Sequence, residues 1–454
     1  MPEWAHRYQA LAELPFTGGY PTDQTACALE DELYFQRAVQ TYLWALPAVN
    51  MYAMKEGIGR AAGRGYQVMS VFEKRLKPHT LITTPNCDVI YGLGFADLAE
   101  TGPLVIEAPP GLQALLDDFW QRPLRSPLLD GIQYLGDIGL PGPDRGKGGR
   151  YLIVPEGYQS MAGEDLSDYY IYTSSTNGVL IFLRGFFPSV DDLAPGVAAV
   201  EGITVYPLHG QRQPMRFEHV SDLPLNALFP RGAAYFDLLD HAATVGWKTA
   251  KTIAARFHHE PGARWWNDRQ WIAHVKTDLD DFLHTLLDEE FRDRRTGHTD
   301  VNAKAHMYVN HYSISTGMIT SRVGAGAKYA NTYTDRDGDV LMGQHTYRID
   351  LPAQPPAKLL WSLTLYDADT AAEIAAENQT YSSLNSLGDL KPNEDGTYTI
   401  HTAPQRPAGA ANWIRTVPAR GWFGLIRWYS PEQTFFDHNY KPGDFVKTTH
   451  RPTS

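Results

Sequence analysis

Two separated sets of short apolar runs, broken by Gly, Pro and Asp, constrain the fold of this sequence most strongly. The first set follows Pro78 and includes TLITTPNCDVIYGLGFADL, GPLVIEAPP, GGRYLIVPEGY and DYYIYTSSTNGVLIFLRGFF. The second set follows Met318 and includes KYANTYTD, HTYRIDLP, KLLWSLTLYD and GWFGLIRWYS. Short runs bounded by turn residues are typical of strands in β-sandwiches. They predict two β-rich domains.

Helical spacing of apolar residues occupies the rest of the chain. From Thr25 to Met54 apolar residues recur three and four positions apart, with Thr22 or Thr25 as the cap, and Pro47 is predicted to end or kink this helix. A short second helix is predicted near Val71 to Leu76. Helical spacing returns from about Leu223 to Arg294, which predicts a helical middle domain.

The predicted fold class is mainly β with α. A chain of 454 residues is too long for one ordinary core and is expected to divide into domains. We predict an N-terminal helical segment (1–77), a β-sandwich (78–220), a helical connecting domain (221–317) and a jelly-roll-like β-sandwich (318–454). Many short strands with turn signals favour the jelly-roll type for the last domain.

Composition and charge exclude several classes of protein. Hydrophobic residues make up 43% and charged residues 20%, as in soluble globular domains, and the net charge is −12. An acidic balance argues against general nucleic-acid binding, because phosphate contacts need a basic surface. No stretch approaches the ~20 apolar residues of a membrane span. The chain shows no leader, so a cytoplasmic location is expected unless a leader has been removed.

Several local patterns carry specific expectations. Asn177-Gly178 between two strand-like runs predicts a tight hairpin. The Gly- and Pro-rich stretch from Arg122 to Arg150 predicts a long surface loop or lid. The acidic stretch from Thr334 to Asp339 resembles a calcium loop but lacks the downstream Glu, so a hairpin turn is favoured. Cys27 and Cys87 alone cannot form a disulfide framework.

Common cofactor and metal signatures are absent from the sequence. There is no phosphate loop, dinucleotide fingerprint, nucleophile elbow or His-Glu-x-x-His motif, so the sequence leaves the cofactor open. The helix face with Asp280, His284 and Asp288 is more simply a solvated acidic face than a metal site. Scattered histidines allow a three-His centre only through the fold, and we assign no metal ligand; they are His79, His306, His311, His345 and His401.

Long segments of the chain resemble two known families. LPFTGGYPT, YFQRAVQTYLWALPAVNM, TTPNCDVIYGLGFADL and GLPGPDRGKGGRYLIVPEGY resemble the N-terminal part of the domain-of-unknown-function family 1254. GAGAKYANTYTDRDGDVLMGQHTYRIDLP, LLWSLTLYDADT and NWIRTVPARGWFGLIRWYSP are similar to its usual partner, family 1214. The resemblance implies an immunoglobulin-like sandwich, a helical connector and a jelly-roll, and it implies no activity. Where relatives have Thr, this sequence has Val89.

The first candidate site lies in the segment Pro85 to Tyr91. Strand alternation would place Asn86 and Asp88 on one face and Cys87 on the other. Asp88 then serves as a general base or an orienting hydrogen-bond acceptor, Asn86 as a polar anchor and Tyr91 as a proton donor. An equally good alternative is that Asn86 and Asp88 stabilise a turn through local hydrogen bonds.

Further candidates flank the predicted lid and the second domain. Arg122 is expected to bind Asp118 or a substrate acid, with Trp120 beside them. Trp361 and Leu363 should share one strand face, opposite Ser362 and Thr364, although a buried Trp361 is the more common outcome. Tyr366 and Asp367 end that strand and are candidates for an interdomain pocket, with Arg322 and Tyr329 at its rim.

Two functions remain open from the sequence. The first is an enzyme, with hydrolysis as one candidate reaction, that acts on a small organic molecule in an interdomain cleft. Its predicted catalytic residues are Asp88, Tyr91, Arg122, Tyr366 and Asp367, and its predicted ligand-binding residues are Asn86, Asp118, Trp120, Trp361, Arg322 and Tyr329. The alternative is a non-catalytic binding protein for a sugar or aromatic molecule, with Trp361, Trp413, Trp422 and Trp428 as stacking platforms. A homo-oligomer is the default expectation.

Overall fold

A computed structural model describes residues 9–17, 19–129, 131–160, 165–244, 323–324, 326–388, 390–437 and 439–448. The described residues up to Leu46 belong to one compact unit, and those from Pro47 onward belong to a second unit that contains both β-rich regions. The protein is mainly β, with several sheets and few helices among the described residues, which confirms the predicted fold class.

The longest described helix begins where the sequence predicts it. Helix α1 (Asp23–Ala62) follows Thr22, whose Oγ1 accepts a hydrogen bond from the Thr25 backbone N–H at 3.2 Å and so caps the helix. The helix continues through Pro47, which the sequence predicts to end or kink it. Residues 45–54 are all buried, and this packing offsets the one backbone hydrogen bond that proline removes. The other described helices are α2 (Leu98–Thr101), α3 (Ala194–Glu201), α4 (Ala233–Thr244) and α5 (Gln433–Phe436).

The first β-rich region is a sandwich of two six-stranded sheets. Sheet 1 contains, in spatial order, β14 (Thr204–Pro207), β6 (Leu104–Ala108), β11 (Gly149–Pro155), β12 (Tyr170–Ser174), β8 (Arg125–Leu129) and β9 (Ile132–Leu135). Sheet 2 contains β10 (Asp137–Gly139), β7 (Gln113–Asp118), β13 (Gly178–Gly185), β5 (Ile90–Asp97), β3 (Val68–Phe72) and β15 (Arg216–His219). Most neighbours are antiparallel, but β11 pairs with β12 and β3 with β15 in parallel.

The second β-rich region is a sandwich of two four-stranded sheets. Sheet 3 contains β17 (Ala327–Thr332), β23 (Trp422–Pro431), β19 (Ala357–Asp367) and β20 (Ser383–Asn385). Sheet 4 contains β22 (Asn412–Arg415), β21 (Tyr398–Ala403), β18 (Thr346–Leu351) and β24 (Val446–Thr448). Two short pairs complete the described strands: β1 (Phe16–Thr17) with β2 (Tyr20–Pro21), and β4 (Thr80–Leu81) with β16 (Leu225–Asn226).

Three hydrophobic cores separate the four large sheets. One core lies between sheets 1 and 2 and includes Ile153, Tyr172 and Ile181. A second lies between sheets 3 and 4 and includes Trp361, Ile400 and Trp428. The third, which we call the central core, joins sheets 2 and 3 with the later part of α1. It includes Met54, Phe72, Leu93, Leu180, Tyr329, Leu425 and Tyr429. Sheets 2 and 3 therefore bury both of their faces.

The predicted short helix near Val71 to Leu76 is wrong. Residues Val68–Phe72 form strand β3, and every one of its residues is buried. A strand inside a sheet that is covered on both faces shows no alternation of apolar and polar residues, so its periodicity cannot be distinguished from that of a helix.

The predicted hairpin at Asn177-Gly178 is also wrong. Strands β12 and β13 lie in different sheets, so residues 175–177 cross from sheet 1 to sheet 2. Glycine is needed at Gly178 for a different reason, because a Cβ there would lie 1.5 Å from Cδ2 of Phe119. The dipeptide thus reflects close packing and not a turn with positive φ.

The predicted lid between Arg122 and Arg150 is replaced by three short strands, β8, β9 and β10. Gly131 and Gly136 have φ of 76° and 72°, so they supply the positive φ that the connections between these strands require. Gly139, the last residue of β10, has φ of 74°. The acidic stretch at Asp335 is a turn, as predicted: its carboxylate accepts hydrogen bonds from the backbone N–H groups of Asp337 and Asp339.

The predicted helical connecting domain falls mainly outside the described residues. Helix α4 belongs to its first part. The proposed helix face with Asp280, His284 and Asp288 lies outside the described residues, as do His306, His311 and Arg322. The predicted domain boundaries stay predictions.

Candidate functional site

A cavity of about 70 Å³ lies in the central core, between sheets 2 and 3. Its polar lining comes from Thr83, Thr84, Tyr91, Arg184, Tyr329 and Arg427. The remaining wall is apolar and includes Met54, Phe72, Leu76, Ile82, Leu93, Phe182 and Leu425. We call it the arginine cavity, because two guanidinium groups reach an otherwise largely apolar space.

Strand alternation explains how each arginine reaches the cavity. On β13, Ile181 and Leu183 point into the core between sheets 1 and 2, so Phe182 and Arg184 point to the opposite face. On β23, Trp428 points into the core of the second sandwich, and Arg427 faces the central core. Each sandwich therefore contributes one arginine from the face that the other sandwich covers.

Each arginine has a tyrosine as its cross-strand neighbour. Arg184 on β13 lies opposite Tyr91 on β5, and Arg427 on β23 lies opposite Tyr329 on β17. Directly opposed residues on neighbouring strands have adjacent side chains on the same face of the sheet. The pairing brings four polar side chains to the wall of one cavity.

Arg184 is 4% exposed and Arg427 is 3% exposed. Within the described residues, Nε of Arg184 has no hydrogen-bond partner, and its guanidinium lies 5.1 Å from the ring centre of Phe182 and 5.8 Å from that of Tyr429. Arg427 donates to Oγ1 of Thr364 and to the carbonyl oxygen of Thr84, both at 3.2 Å. Neither guanidinium forms an ion pair with any of the residues that the structure describes.

Three buried tyrosines near the arginines, Tyr91, Tyr366 and Tyr429, are protonated at neutral pH. Burial raises the pKa of Tyr91, and it raises the pKa of Tyr366 and Tyr429 well above the usual value. The hydroxyl of Tyr366 donates to the carbonyl oxygen of Pro85, and that of Tyr429 accepts a hydrogen bond from Nδ2 of Asn86. These two contacts tie the segment before β5 to sheet 3.

A buried polar network around Asp88 also joins the two sandwiches. Asp88 is fully buried and accepts from Nδ2 of Asn385 at 2.6 Å, from Oγ of Ser383 at 3.4 Å and from Arg75 at 3.5 Å. Arg75 lies in the first region, whereas Asn385 and Ser383 lie on β20 of the second. Asp88 thus has hydrogen-bond partners in both sandwiches, which indicates a structural role for its carboxylate.

Glu373 adds a second carboxyl group to this interface. It is 2% exposed, its Oε2 accepts one hydrogen bond from Oγ of Ser382 at 3.4 Å, and its Oε1 has no partner among the described residues. Burial and the neighbouring charge of Asp88 raise the pKa of Glu373 to about 8. The group is therefore mainly protonated at neutral pH. Burial likewise raises the pKa of the Cys87 thiol, which is not a reactive thiolate.

Tyr91 and Tyr329 are the two predicted site residues that line the cavity. Asn86, Asp88 and Tyr366 lie behind this wall, in the contacts that join the sandwiches. The predicted alternation of Asn86 and Asp88 along a strand is wrong, because β5 begins only at Ile90. Instead, Oδ1 of Asn86 accepts the backbone N–H of Asp88 at 2.8 Å, which is the local turn that the alternative interpretation describes.

Asp118, Trp120 and Arg122 form a separate cluster that does not line the cavity. Arg122 donates from Nε to Oδ2 of Asp118 at 2.9 Å, so the predicted pairing of these two residues is confirmed. Asp118 also accepts from the backbone N–H of Trp120 and from Oγ of Ser175. The carboxylate of Asp118 therefore has hydrogen-bond partners from neighbouring segments of the first sandwich.

The remaining candidates in the second sandwich have structural contacts. Trp361 is 4% exposed and packs edge-on against Tyr398 at 4.9 Å between ring centres. The predicted face shared by Trp361 and Leu363 is confirmed, but it is a core face with no room for a stacked ligand. Trp422 and Trp428 are buried in the same core, which corrects the predicted stacking platforms. Asp367 accepts from the backbone of Thr370 and pairs with Arg420.

Sequence reasoning missed Arg184 and Arg427. Each is the single charged residue of a strongly apolar run, VLIFLRGFF and FGLIRWYS. Arginine is rarely fully buried unless it has a charged partner or a function. A lone arginine within a strongly apolar strand was therefore the sequence feature that could have identified these two residues.

Among the residues that the structure describes, no three His, Cys, Asp or Glu side chains are grouped so that they could hold a metal ion. None of the described helices is long and apolar enough to cross a membrane.

Fold and site together define a class: a protein of two β-sandwiches with an arginine-lined cavity between them. Residues 67–207 match the family model described as protein of unknown function (DUF1254), and residues 326–433 match that of protein of unknown function (DUF1214). The chain thus pairs a DUF1254 region with a C-terminal DUF1214 region, as the sequence predicts. Arg184 lies in the first match and Arg427 in the second.

Two solved structures contain chains that are similar to this one. The VPA0106 protein from Vibrio parahaemolyticus is 16% identical with a TM-score of 0.49, covering 90% of this chain and 100% of its own. An uncharacterised protein from Burkholderia cenocepacia is 14% identical with a TM-score of 0.41, covering 98% of this chain and 96% of its own. Both TM-scores are below 0.5, so neither similarity supports an inference about fold or function. Comparison with curated proteins gives no match.

Proposed function

We propose that this protein binds a small, negatively charged organic molecule in the arginine cavity. The observation that carries the proposal is the pair of buried guanidinium groups, Arg184 and Arg427, which line one cavity without an ion pair among the described residues. Arginine remains charged under all ordinary conditions. A bound anion is the simplest partner for both groups.

The cost of burying charge supports this proposal. Removing an ion from water costs several kcal/mol unless an opposite charge and hydrogen bonds offset the loss. For Arg427, hydrogen bonds to the hydroxyl of Thr364 and to the carbonyl oxygens of Thr84 and Pro85 offset part of this cost. For Arg184, aromatic rings offset a smaller part. An arrangement that destabilises the fold in this way is typical of a binding site.

The apolar wall supports an organic molecule over a simple inorganic ion. Ligand sites are mostly apolar, with a few polar groups that determine orientation. Here Leu76, Phe182 and Leu425 face the same space as the two arginines. An organic anion matches both kinds of surface.

Thermal unfolding in the presence of organic acids tests the proposal. Sodium salts of small organic acids should raise the Tm relative to sodium chloride at equal ionic strength, because a ligand that binds only the folded state stabilises it. The rise should disappear in Arg184→Met and in Arg427→Met. Arg348→Met, which removes an exposed arginine paired with Asp350, is the matched control and should respond like the wild type. Equal responses in all four proteins would overturn the proposal.

A second candidate function is catalysis on the bound molecule, as the sequence suggests. Tyr91 and Tyr329 support it, because both are buried phenols that line the cavity and can donate a proton to a bound substrate. Hydrolysis is one such reaction.

Mass spectrometry of the recovered ligand separates the two candidates. For an enzyme, incubation with wild-type protein gives a product of altered mass, and Tyr91→Phe retains ligand binding but loses turnover. If the ligand returns unchanged from long incubation with wild-type protein, the binding function stands alone.

A further inference from the structure

We infer that the ligand of the arginine cavity is a monocarboxylate with a short apolar chain. This inference rests on the proposed function and narrows it to one chemical class. It follows from three properties of the cavity: its volume, the geometry of its cationic groups and the composition of its remaining wall.

The volume limits the ligand to a few heavy atoms. The cavity measures about 70 Å³. For comparison, a cavity of about 150 Å³ in another protein holds benzene. A carboxylate with one or two further carbon atoms fits this space, whereas a four-carbon dicarboxylate does not.

The cationic groups favour a carboxylate. The guanidinium group is a planar fork of N–H donors that matches the two oxygens of a carboxylate. Tyr91 and Tyr329 add hydroxyl donors beside the two arginines. All of these groups donate hydrogen bonds, which a carboxylate accepts at both oxygens.

The apolar wall requires a hydrocarbon part. Met54, Leu76, Ile82, Leu93 and Leu425 line the cavity from α1, from loops of the first region and from strands of both sandwiches. These side chains offer no hydrogen bond to phosphate, sulfate or a second carboxylate, and a buried charge without a partner is costly. A methyl or ethyl group contacts them favourably.

Isothermal titration calorimetry of the full-length protein with a homologous series tests the inference. The probes are the sodium salts of formate, acetate, propionate, butyrate and hexanoate, together with succinate, inorganic phosphate and neutral propionamide, at constant ionic strength. Affinity should peak at acetate or propionate and fall at least tenfold for hexanoate, succinate, phosphate and propionamide. Arg427→Lys keeps the charge without the fork and should bind the best acid at least fivefold more weakly.

A variant that enlarges the cavity should change which acid binds most tightly, and a purely structural role of the cavity residues would not produce this change. Ile82 lines the cavity and is only partly buried, so Ile82→Ala should fold. It should shift the optimum toward a longer chain, such as butyrate. Leu359→Ala, at an exposed position of β19, is the control and should leave the optimum unchanged.

The outcomes separate this inference from the proposed function. Tighter binding of succinate or phosphate that still depends on Arg427 would overturn the monocarboxylate and leave the anion site standing. Binding that is independent of chain length, with no shift in Ile82→Ala, would also overturn it. The absence of binding for every anion would overturn both proposals.

Discussion

At the scale of single residues, the interface between the two sandwiches holds several buried ionisable groups. Arg75, Asp88, Arg184, Glu373 and Arg427 are each no more than 5% exposed. Asp88 and Arg75 form an ion pair, whereas Arg184, Arg427 and Glu373 have no ion-pair partner among the described residues. Because a buried charge without a partner is destabilising, these groups make distinct and measurable contributions to stability.

Replacing Arg184 should stabilise the protein in the absence of ligand. Arg184→Met removes a buried charge and keeps an apolar stem of similar length, so we expect the free energy of unfolding to rise by about 1–2 kcal/mol. Urea denaturation of the ligand-free protein measures this change. Arg348→Met, at an exposed ion pair, should change stability by less than about 0.5 kcal/mol. A loss of stability in Arg184→Met would show that the charge has a partner in the folded protein.

Replacing Asp88 should have the opposite effect. Asp88→Asn leaves Arg75 buried without the carboxylate that balances its charge, and it turns an amide N–H₂ group toward other hydrogen-bond donors. We therefore expect the free energy of unfolding to fall by about 3 kcal/mol. Urea denaturation again provides the measurement, with the exposed Asp350→Asn as control. A change in the free energy of unfolding below 1 kcal/mol would contradict a structural role and would favour the predicted catalytic role of Asp88.

Glu373 should make the stability depend on pH between about 4.5 and 8. The reference pKa is 4.5, and in the folded protein it is about 8. The stability contributed by the protonated group is fully present below pH 4.5. It is lost as pH rises toward 8, because the unfolded chain releases its proton first. Wild-type protein should therefore lose up to roughly 4 kcal/mol relative to Glu373→Gln between pH 5 and pH 8.

Urea denaturation of the wild type and Glu373→Gln at pH 5, 6.5 and 8 measures this difference. Glu377→Gln, at an exposed position, is the control and should follow the wild type. A difference between wild type and Glu373→Gln that stays constant across this range would contradict the raised pKa.

At the scale of elements, β13 and β23 determine where the cavity forms. Both strands are the centre of sheets buried on two faces, and each directs one arginine toward the central core. Strand β13 is also closely packed at its first residue. Gly178, the first residue of β13, lies against the ring of Phe119, which follows β7.

Gly178→Ala should strongly destabilise the first sandwich. The added Cβ would overlap the Phe119 ring, and such overlap costs about 3 kcal/mol or more in a well-packed core. Thermal unfolding measures the effect. In a Phe119→Ala background the same substitution should cost much less, because its steric partner is gone. Equal costs in the two backgrounds would exclude this contact as the reason for glycine.

At the scale of the whole molecule, the two sandwiches share the central core and the polar contacts of Asn86, Asp88 and Tyr366. Because sheets 2 and 3 pack against each other, unfolding of either sandwich would expose apolar surface of the other. We therefore expect the β-rich regions to unfold in one cooperative step.

Ile153→Ala tests this cooperativity. Ile153 is fully buried between sheets 1 and 2, away from the second sandwich, and its truncation should cost about 2–4 kcal/mol. Hydrogen exchange measured by mass spectrometry should show faster exchange in β19 and β23 as well as in β11. Faster exchange confined to the first sandwich would show that the two regions unfold independently.

Much of the fold follows from local sequence patterns. The strands of both regions, the Thr22 cap, the turn at Asp335 and the two faces of β19 depend on residues close together in the chain. Local reasoning failed at Val71 and Gly178, where the decisive contacts come from distant segments. A strand covered on both faces has no periodicity, and a glycine needed for packing resembles a glycine needed for a turn.

The sequence by itself determined the class, mainly β with two family regions, and named Tyr91 and Tyr329 among its candidate residues. Only the tertiary structure decided that these tyrosines share a cavity with Arg184 and Arg427, which lie 243 positions apart in the numbering of the chain. The physical reason is that strand patterns specify which face a side chain takes, whereas the partner of that face depends on how whole sheets stack. That Arg184 and Arg427 share one cavity is therefore known only when the positions of both sheets are known.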